Sequence, residues 1–147
     1  MRILEIESYF KDENTLDKVV EEIKEDIEKI DYYANLLKTG VIDNAEEVKK
    51  AITELTGIYM SLKPVLAIAT SEKENKEVRA YNALRVEIEN AGSKFVSAQA
   101  DKQASGAVAN YRRIRNIVEG YVNATEKAIS TLQSVLKYLS EEQKMSK

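Results

Sequence analysis

The sequence predicts an all-α fold: an elongated helical hairpin or bundle with one long, kinked helix, which assembles with copies of itself. Apolar residues recur at helical spacing along nearly all of the 147 residues. The five glycines and one proline are too few for an all-β or loop-rich fold of this size. An apolar share of 44% is enough for one core, so residues 1–147 are expected to form one domain. Within it we expect an acidic leader and helix over 1–40 and a long helical hairpin over 44–142.

The first predicted elements are a short amphipathic leader over residues 2–10 and an acidic helix over 15–38. In the helix, apolar residues step by three and four and form one stripe: Leu16, Val19, Ile23, Ile27, Ile30, Ala34 and Leu37. Asn14 or Thr15 can cap the start of this helix, and Gly40 stands where a left-handed C-terminal cap belongs.

A second and longer helix is predicted to begin near residue 45. Asp43, followed three residues later by Glu46, forms a variant of the capping box. The next apolar residues alternate in steps of four and three, the rhythm of a bundle seam: Val48, Ile52, Leu55, Tyr59, Leu62, Leu66 and Ala69. This stripe keeps its phase across Pro64, so we expect one helix kinked at the proline rather than two helices.

The apolar pattern pauses over the polar residues 71–76 and then resumes at Val78, Tyr81, Leu84, Ile88, Ala91 and Phe95. A helix running from Ala45 to Gly92 would be about 70 Å long, which exceeds the width of a compact domain. One small chain is not expected to cover such a stripe, and we therefore predict a homo-oligomer.

Small residues dominate positions 91–109, and a reversal of the chain is expected near Gly92 or near Ser105 and Gly106. The return arm is predicted over about 108–142. Its stripe consists of Val108, Tyr111, Ile114, Val118, Tyr121 or Val122, Thr125, Ile129, Leu132, Leu136 and Leu139. Because the tyrosines of the chain fall on or beside these stripes, they are expected in the core rather than as platforms for stacked bases.

The composition excludes most catalytic chemistry. Histidine, cysteine and tryptophan are absent, which removes disulfides, thiolate zinc sites, cysteine or histidine nucleophiles and histidine acid–base schemes. No glycine-rich phosphate loop and no EF-hand spacing is present. We expect no enzymatic activity, no metal and no cofactor. The longest apolar run, 64–69, is far too short to span a bilayer, so no membrane partner and a cytoplasmic location are expected.

The charge is unevenly distributed along the chain. Residues 1–60 hold eight basic and fifteen acidic side chains, and residues 61–147 hold fourteen and ten. Three arginines lie within four residues in the sequence YRRIRN, and arginine suits phosphate because its planar fork donates two hydrogen bonds to one group. The candidate nucleic-acid-binding residues are Arg112, Arg113, Arg115, Lys102 and Lys94. The alternative is a solvated helix face on which Arg115 pairs with Glu119.

In its order of elements the chain resembles the UvsY-type recombination mediators of tailed bacteriophages. The resemblance is carried by the leader, by two hairpin arms over 55–91 and 100–139, and by the stretch YRRIRNIVEGYVNATEKAISTLQSVLKYL over 111–139. It implies small helical subunits that assemble into rings and hold single-stranded DNA. It also implies a recombinase or SSB-type protein as partner, in the host cytoplasm.

Two functions are consistent with these observations. The first is a non-enzymatic single-stranded DNA-binding mediator of phage recombination, which acts as an oligomer and helps to load a recombinase. The second is a helical protein-interaction or structural module, such as an assembly factor, adaptor or inhibitor, without nucleic-acid binding.

Overall fold

A computed structural model describes residues 3–40, 42 and 44–145, and in this part of the chain all regular structure is helical. The helices are α1 (Ile3–Phe10), α2 (Leu16–Thr39), α3 (Ala45–Asn90), α4 (Ser97–Ala107) and α5 (Ala109–Met145), with a short 3-10 turn at Glu13–Thr15. The predicted all-α class is confirmed. Of the predicted leader, Arg2 lies outside the described residues.

The ends of the helices follow local hydrogen-bonding rules. Asn44 caps α3, since its side chain accepts a hydrogen bond from the Glu47 amide at 2.9 Å. The cap therefore lies one residue later than predicted, and Asp43 is outside the described residues. Gly40 ends α2 with φ of 67°, as predicted, in the left-handed region that glycine adopts without strain.

The chain reverses at Gly92, the first of the two predicted places. Gly92 has φ of 72°, its amide donates to the Glu89 carbonyl, and the Ser93 amide donates to the Ile88 carbonyl, both at 3.1 Å. This pair of bonds is the Schellman motif. At the second predicted place the chain only breaks: α4 ends and α5 begins on either side of Val108, whose φ and ψ are −107° and 21°.

Helix α5 lies antiparallel to α3. Arg115 near its start donates from Nε to Thr70 Oγ1 at 3.2 Å, whereas Leu139 near its end lies beside Ala45. Helix α2 packs against α1, α3 and α5 of its own chain. The acidic helix is therefore an integral part of the bundle.

The predicted stripe of α3 is confirmed at Val48, Leu55, Leu62 and Ala69 and is wrong at its other three positions. The buried residues of α3 are Val48, Ala51, Leu55, Ile58, Leu62, Val65 and Ala69. The predicted Ile52, Tyr59 and Leu66 are only half-buried and flank this line. The physical reason is that α3 contacts α1 as well as α5, so its apolar sector is wider than one stripe.

Helix α2 shows the same kind of correction. Tyr33 is buried in place of the predicted Ala34, which is exposed. Asp26 falls in the register of the buried residues, between Ile23 and Ile30 at steps of three and four. Burial raises the pKa of its carboxyl, and the neighbouring Glu25 raises it further. The stripe predicted for α5 is largely confirmed, with Ile129, Leu136 and Leu139 half-buried.

Residues 70–107, which we call the distal arm, are thinly covered. No residue over 70–99 is buried, and Val78, Val86 and Val96 are 59%, 56% and 47% exposed. Helix α4 contributes only two buried alanines, Ala100 and Ala104. The second half of the stripe predicted for α3 is thus not buried within one chain.

Helix α3 is the one helix of the described ranges that is long and apolar enough to cross a membrane, with a mean hydropathy of 1.2 over an 18-residue window. Only 28% of that window is buried in the fold, although a single helix of this kind is weak evidence for a membrane span.

Candidate nucleic-acid interface

The predicted arginine cluster does not form one continuous surface. Successive residues of a helix turn by about 100°, so the side chains of Arg113 and Arg115 leave α5 in directions about 160° apart. Lys102 lies on α4, and Lys94 lies in the loop between α3 and α4. The five predicted residues are therefore spread over three segments of the chain.

Arg115 is engaged inside the fold. Its Nε donates to Thr70 on α3, and its Nη1 contacts the Glu119 carboxylate one turn further along α5. The same Nη1 donates to Asn116 Oδ1 at 3.3 Å. The guanidinium thus ties α5 to α3 and cancels the nearest carboxylate, as the alternative interpretation of the cluster expects.

The side chain of Arg112 stabilises the end of α4, at the break between α4 and α5. Its Nη2 donates to the Ser105 carbonyl at 2.7 Å and to the Ser105 hydroxyl at 2.5 Å. The break at Val108 deprives the last turn of α4 of its helical donors, and a cation there also suits the helix dipole. Arg112 therefore has a structural role at the end of α4.

The three remaining candidates, Arg113, Lys102 and Lys94, are exposed and form no ion pair with the residues described. Arg113 stands on the side of α5 that faces solvent, at the edge of a shallow cavity shared with Glu13 and Asp17. Binding of nucleic acid by these residues stays a prediction.

A longer polar line extends from Arg113 along the outside of α5. Its members follow one another in steps of three and four, so they share the side opposite the buried stripe. All of them are exposed, and they span about 36 Å. We call this line the outer stripe; it consists of Arg113, Asn116, Gly120, Asn123, Lys127, Ser130, Ser134 and Lys137.

The outer stripe carries three cations and no carboxylate. The carboxylates of α5 nearest to it are Glu119, which pairs with Arg115, and Glu126 on the flank of the helix. Because the oxygen of Asn116 accepts from Arg115, the amide nitrogen of Asn116 remains as a donor toward solvent. At about 100° per residue the line winds gradually around α5, so that Arg113 and Lys127 differ in direction by about 40° and Arg113 and Lys137 by about 120°.

The outside of α2 is mildly acidic. Its exposed acidic residues are Asp17, Glu21, Glu25, Glu28 and Asp31, and its exposed lysines are Lys18, Lys24, Lys29 and Lys38. Since α2 packs against α5, an acidic face borders the outer stripe along one side. The uneven charge of the sequence therefore becomes a difference between two neighbouring faces.

The tyrosines of α5 point away from the outer stripe, with one exception. Tyr111 is buried, and Tyr121 is half-buried with its hydroxyl 3.4 Å from Asp31. Burial raises the pKa of both phenols, first through desolvation and then through nearby carboxylates. Only Tyr138, at the far end, is open to solvent, with 65% of its surface exposed.

A second polar group joins α2 to α3. The Tyr33 hydroxyl donates to Glu54 Oε2 at 2.7 Å, and Lys29 Nζ lies 3.3 Å from the same oxygen. The hydrogen bond from Tyr33 lowers the pKa of Glu54, with a further contribution from Lys29. The group links two helices, and the described residues contain no acidic cluster able to hold a metal ion.

The chain matches no protein-family model, and no curated protein or solved structure is significantly similar to it. The resemblance to UvsY-type mediators therefore stays a prediction from the sequence. The outer stripe and the exposed surface of the distal arm are the features of the fold that bear on function.

Proposed function

We propose that this protein is a non-enzymatic, single-stranded DNA-binding accessory protein that helps to load a recombinase in phage recombination. The observation that carries the proposal is the outer stripe of α5, a solvent-facing line of cations and neutral donors without a carboxylate. Phosphates attract such a line, and each phosphate neutralised releases counterions.

Binding by one subunit is expected to be weak, because Arg113, Lys127 and Lys137 are the only cations of the outer stripe. Assembly of several copies would place the stripes side by side, so that one DNA strand contacts many of them and avidity rises. The exposed valines of the distal arm support assembly, since copies would cover apolar surface that one chain leaves open. A bend of α3 at Pro64 belongs to the same proposal, because it would set the direction in which the arm leaves the bundle.

The acidic face of α2 supports a protein partner. A basic surface of a recombinase or SSB-type protein would be attracted to it, while single-stranded DNA would be kept to the neighbouring outer stripe. The location proposed is the cytoplasm, that of the host if a phage encodes the chain.

A titration of labelled oligo(dT) followed by fluorescence anisotropy tests the proposal. The variant Arg113→Glu/Lys127→Glu/Lys137→Glu is expected to bind about tenfold or more weakly than wild type. The logarithm of the wild-type affinity is expected to fall linearly with the logarithm of salt concentration, by about 0.7 for each phosphate contacted.

The matched control is Lys24→Glu/Lys49→Glu/Lys63→Glu, which changes the net charge equally but on the exposed sides of α2 and α3. It should retain most of the affinity. An equal loss in both triple variants would assign the binding to net charge alone, and a wild-type protein that ignores oligo(dT) at low salt would refute the proposal.

The distal arm favours the second candidate, a protein-interaction or structural module without nucleic-acid binding. Val78 is 59% exposed and lines a cavity with Tyr81, whose ring stands edge-on to Phe95 with the centroids 5.6 Å apart. Light scattering with and without oligonucleotide separates the candidates. An assembly that Val78→Ser/Val86→Ser dissociates, in a protein indifferent to DNA, would favour the module.

A further inference from the structure

We infer that the outer stripe holds single-stranded DNA by its sugar–phosphate backbone and leaves the bases facing away from the protein. This inference rests on the proposed function and specifies how the same site recognises its ligand. Three features of α5 carry it: the chemistry of the stripe, the absence of aromatic side chains along it, and the exposed glycine at its centre.

The groups of the outer stripe match phosphate better than they match base edges. Arg113, Lys127 and Lys137 carry full positive charges, and Asn116 presents its amide nitrogen because Arg115 occupies its oxygen. Contacts of this kind position a nucleic-acid backbone without reading its sequence. Arg115 thus acts as a positioning residue, which turns a donor of Asn116 toward the ligand.

The outer stripe provides no surface on which a base can stack, except at its far end, where Tyr138 is exposed beside Lys137. Between Arg113 and Lys137 the only aromatic side chain is Tyr121, which is half-buried toward α2. Proteins that hold the bases of a single strand generally stack them on aromatic rings, and each stacked base contributes about 5-fold to 150-fold to the affinity. Without such rings, the bases add little to binding.

Gly120 leaves the middle of the outer stripe open. It is exposed within a regular helix, and a Cβ built on it would meet no atom within 4 Å. The packing of the chain itself therefore does not require glycine there, although glycine disfavours a helix. The missing side chain leaves room for a ligand backbone to approach the helix closely at this point.

The first test compares two oligomers of equal length, oligo(dT) and a chain of abasic tetrahydrofuran sites, in the same anisotropy titration. The inference expects affinities that agree within about threefold and equal dependence on salt, since both oligomers carry the same phosphates. Abasic binding weaker by about tenfold or more would show that the bases are held, and would overturn the inference while leaving DNA binding intact. If neither oligomer binds, the proposed function fails as well.

The second test places a side chain at the centre of the outer stripe. Gly120→Gln is expected to raise the thermal midpoint, because glutamine favours the helix, and to weaken oligo(dT) binding about fivefold or more by holding the backbone away. The matched control is Gly57→Gln, since Gly57 is also exposed within a helix with no atom near its missing Cβ.

Gly57→Gln should raise the thermal midpoint similarly and leave binding unchanged. If Gly120→Gln is more stable and binds DNA as well as wild type does, the backbone does not approach the helix at this point, and the inference is overturned.

Discussion

The two halves of α3 share one apolar rhythm but differ in what covers them. Over 48–69, apolar residues are buried in steps of three and four, because α1, α2 and α5 surround this half. Over 70–90 the rhythm continues and no residue is buried, because α4 with its small side chains is the main cover. Apolar periodicity therefore predicts that a segment is helical, whereas burial depends on how many neighbours the helix finds.

The largest expected effect tests this contrast directly. Leu62→Ala should lower the free energy of unfolding by about 2–5 kcal/mol, because it opens a cavity among fully buried neighbours. Leu84→Ala in the distal arm should cost about 1 kcal/mol or less, since Leu84 is partly solvated already. Urea unfolding of both variants measures the difference, and equal losses would mean that the distal arm is covered in solution.

A smaller effect is expected at the junction of the two regions. Arg112→Ala removes hydrogen bonds from a charged donor to Ser105 and should cost about 1.5–3 kcal/mol. Amide hydrogen exchange should become faster in α4 and stay unchanged around Leu62. Arg113→Ala is the control, because an exposed side chain without an ion pair should change stability by no more than about 0.5 kcal/mol. Faster exchange spread over the whole bundle would contradict this assignment.

The polar link between α2 and α3 should contribute less. Tyr33→Phe removes the hydrogen bond to Glu54 and should cost about 1 kcal/mol at neutral pH. Glu54 has a lowered pKa in the folded protein, so its contribution is complete above the ordinary glutamate pKa of about 4.3 and is lost as the pH falls through the folded value. The difference between wild type and Tyr33→Phe should therefore shrink in acid. A difference that is constant down to the acid transition would be evidence against the link.

The smallest effect is expected at Asp26, and it has the opposite sign. Since burial raises the pKa of Asp26, the protonated form is favoured in the fold, and its contribution is lost as the pH rises through the folded pKa. Asp26→Asn should raise the free energy of unfolding by less than about 1 kcal/mol at neutral pH, and by a smaller amount in acid. Denaturation at two pH values checks this; a destabilised variant would indicate that the carboxylate has a partner in solution.

Much of the fold follows from the sequence because its signals are local. The extent of α2, the left-handed cap at Gly40 and the reversal at Gly92 depend on residues within one or two turns. The position of the stripe around each helix depends on distant neighbours. For example, hydrophobicity assigns Ile27 to the predicted stripe of α2. In the structure, Asp26 lies in line with the buried residues of this helix, because the surrounding helices fix its orientation.

The candidate site was less predictable for a similar reason. Three arginines adjacent in sequence diverge around a helix, and Arg112 and Arg115 are taken up by Ser105 and Glu119. The outer stripe could have been found by following steps of three and four on the side opposite the apolar residues. Its signal is weak, however, because asparagine, serine and glycine occur on many solvated helices. Only the engagement of the neighbouring arginines shows which polar groups remain available.

The length of α3 also affects how the mass of the protein in solution must be measured. A helix of 46 residues extends about 69 Å. A compact chain of this size has a radius of gyration of about 15 Å, which corresponds to a diameter of only about 40 Å. So long a particle has a large frictional coefficient for its mass. Even a single chain will therefore elute early from a size-exclusion column calibrated with globular standards, and an elution volume alone would mimic a dimer.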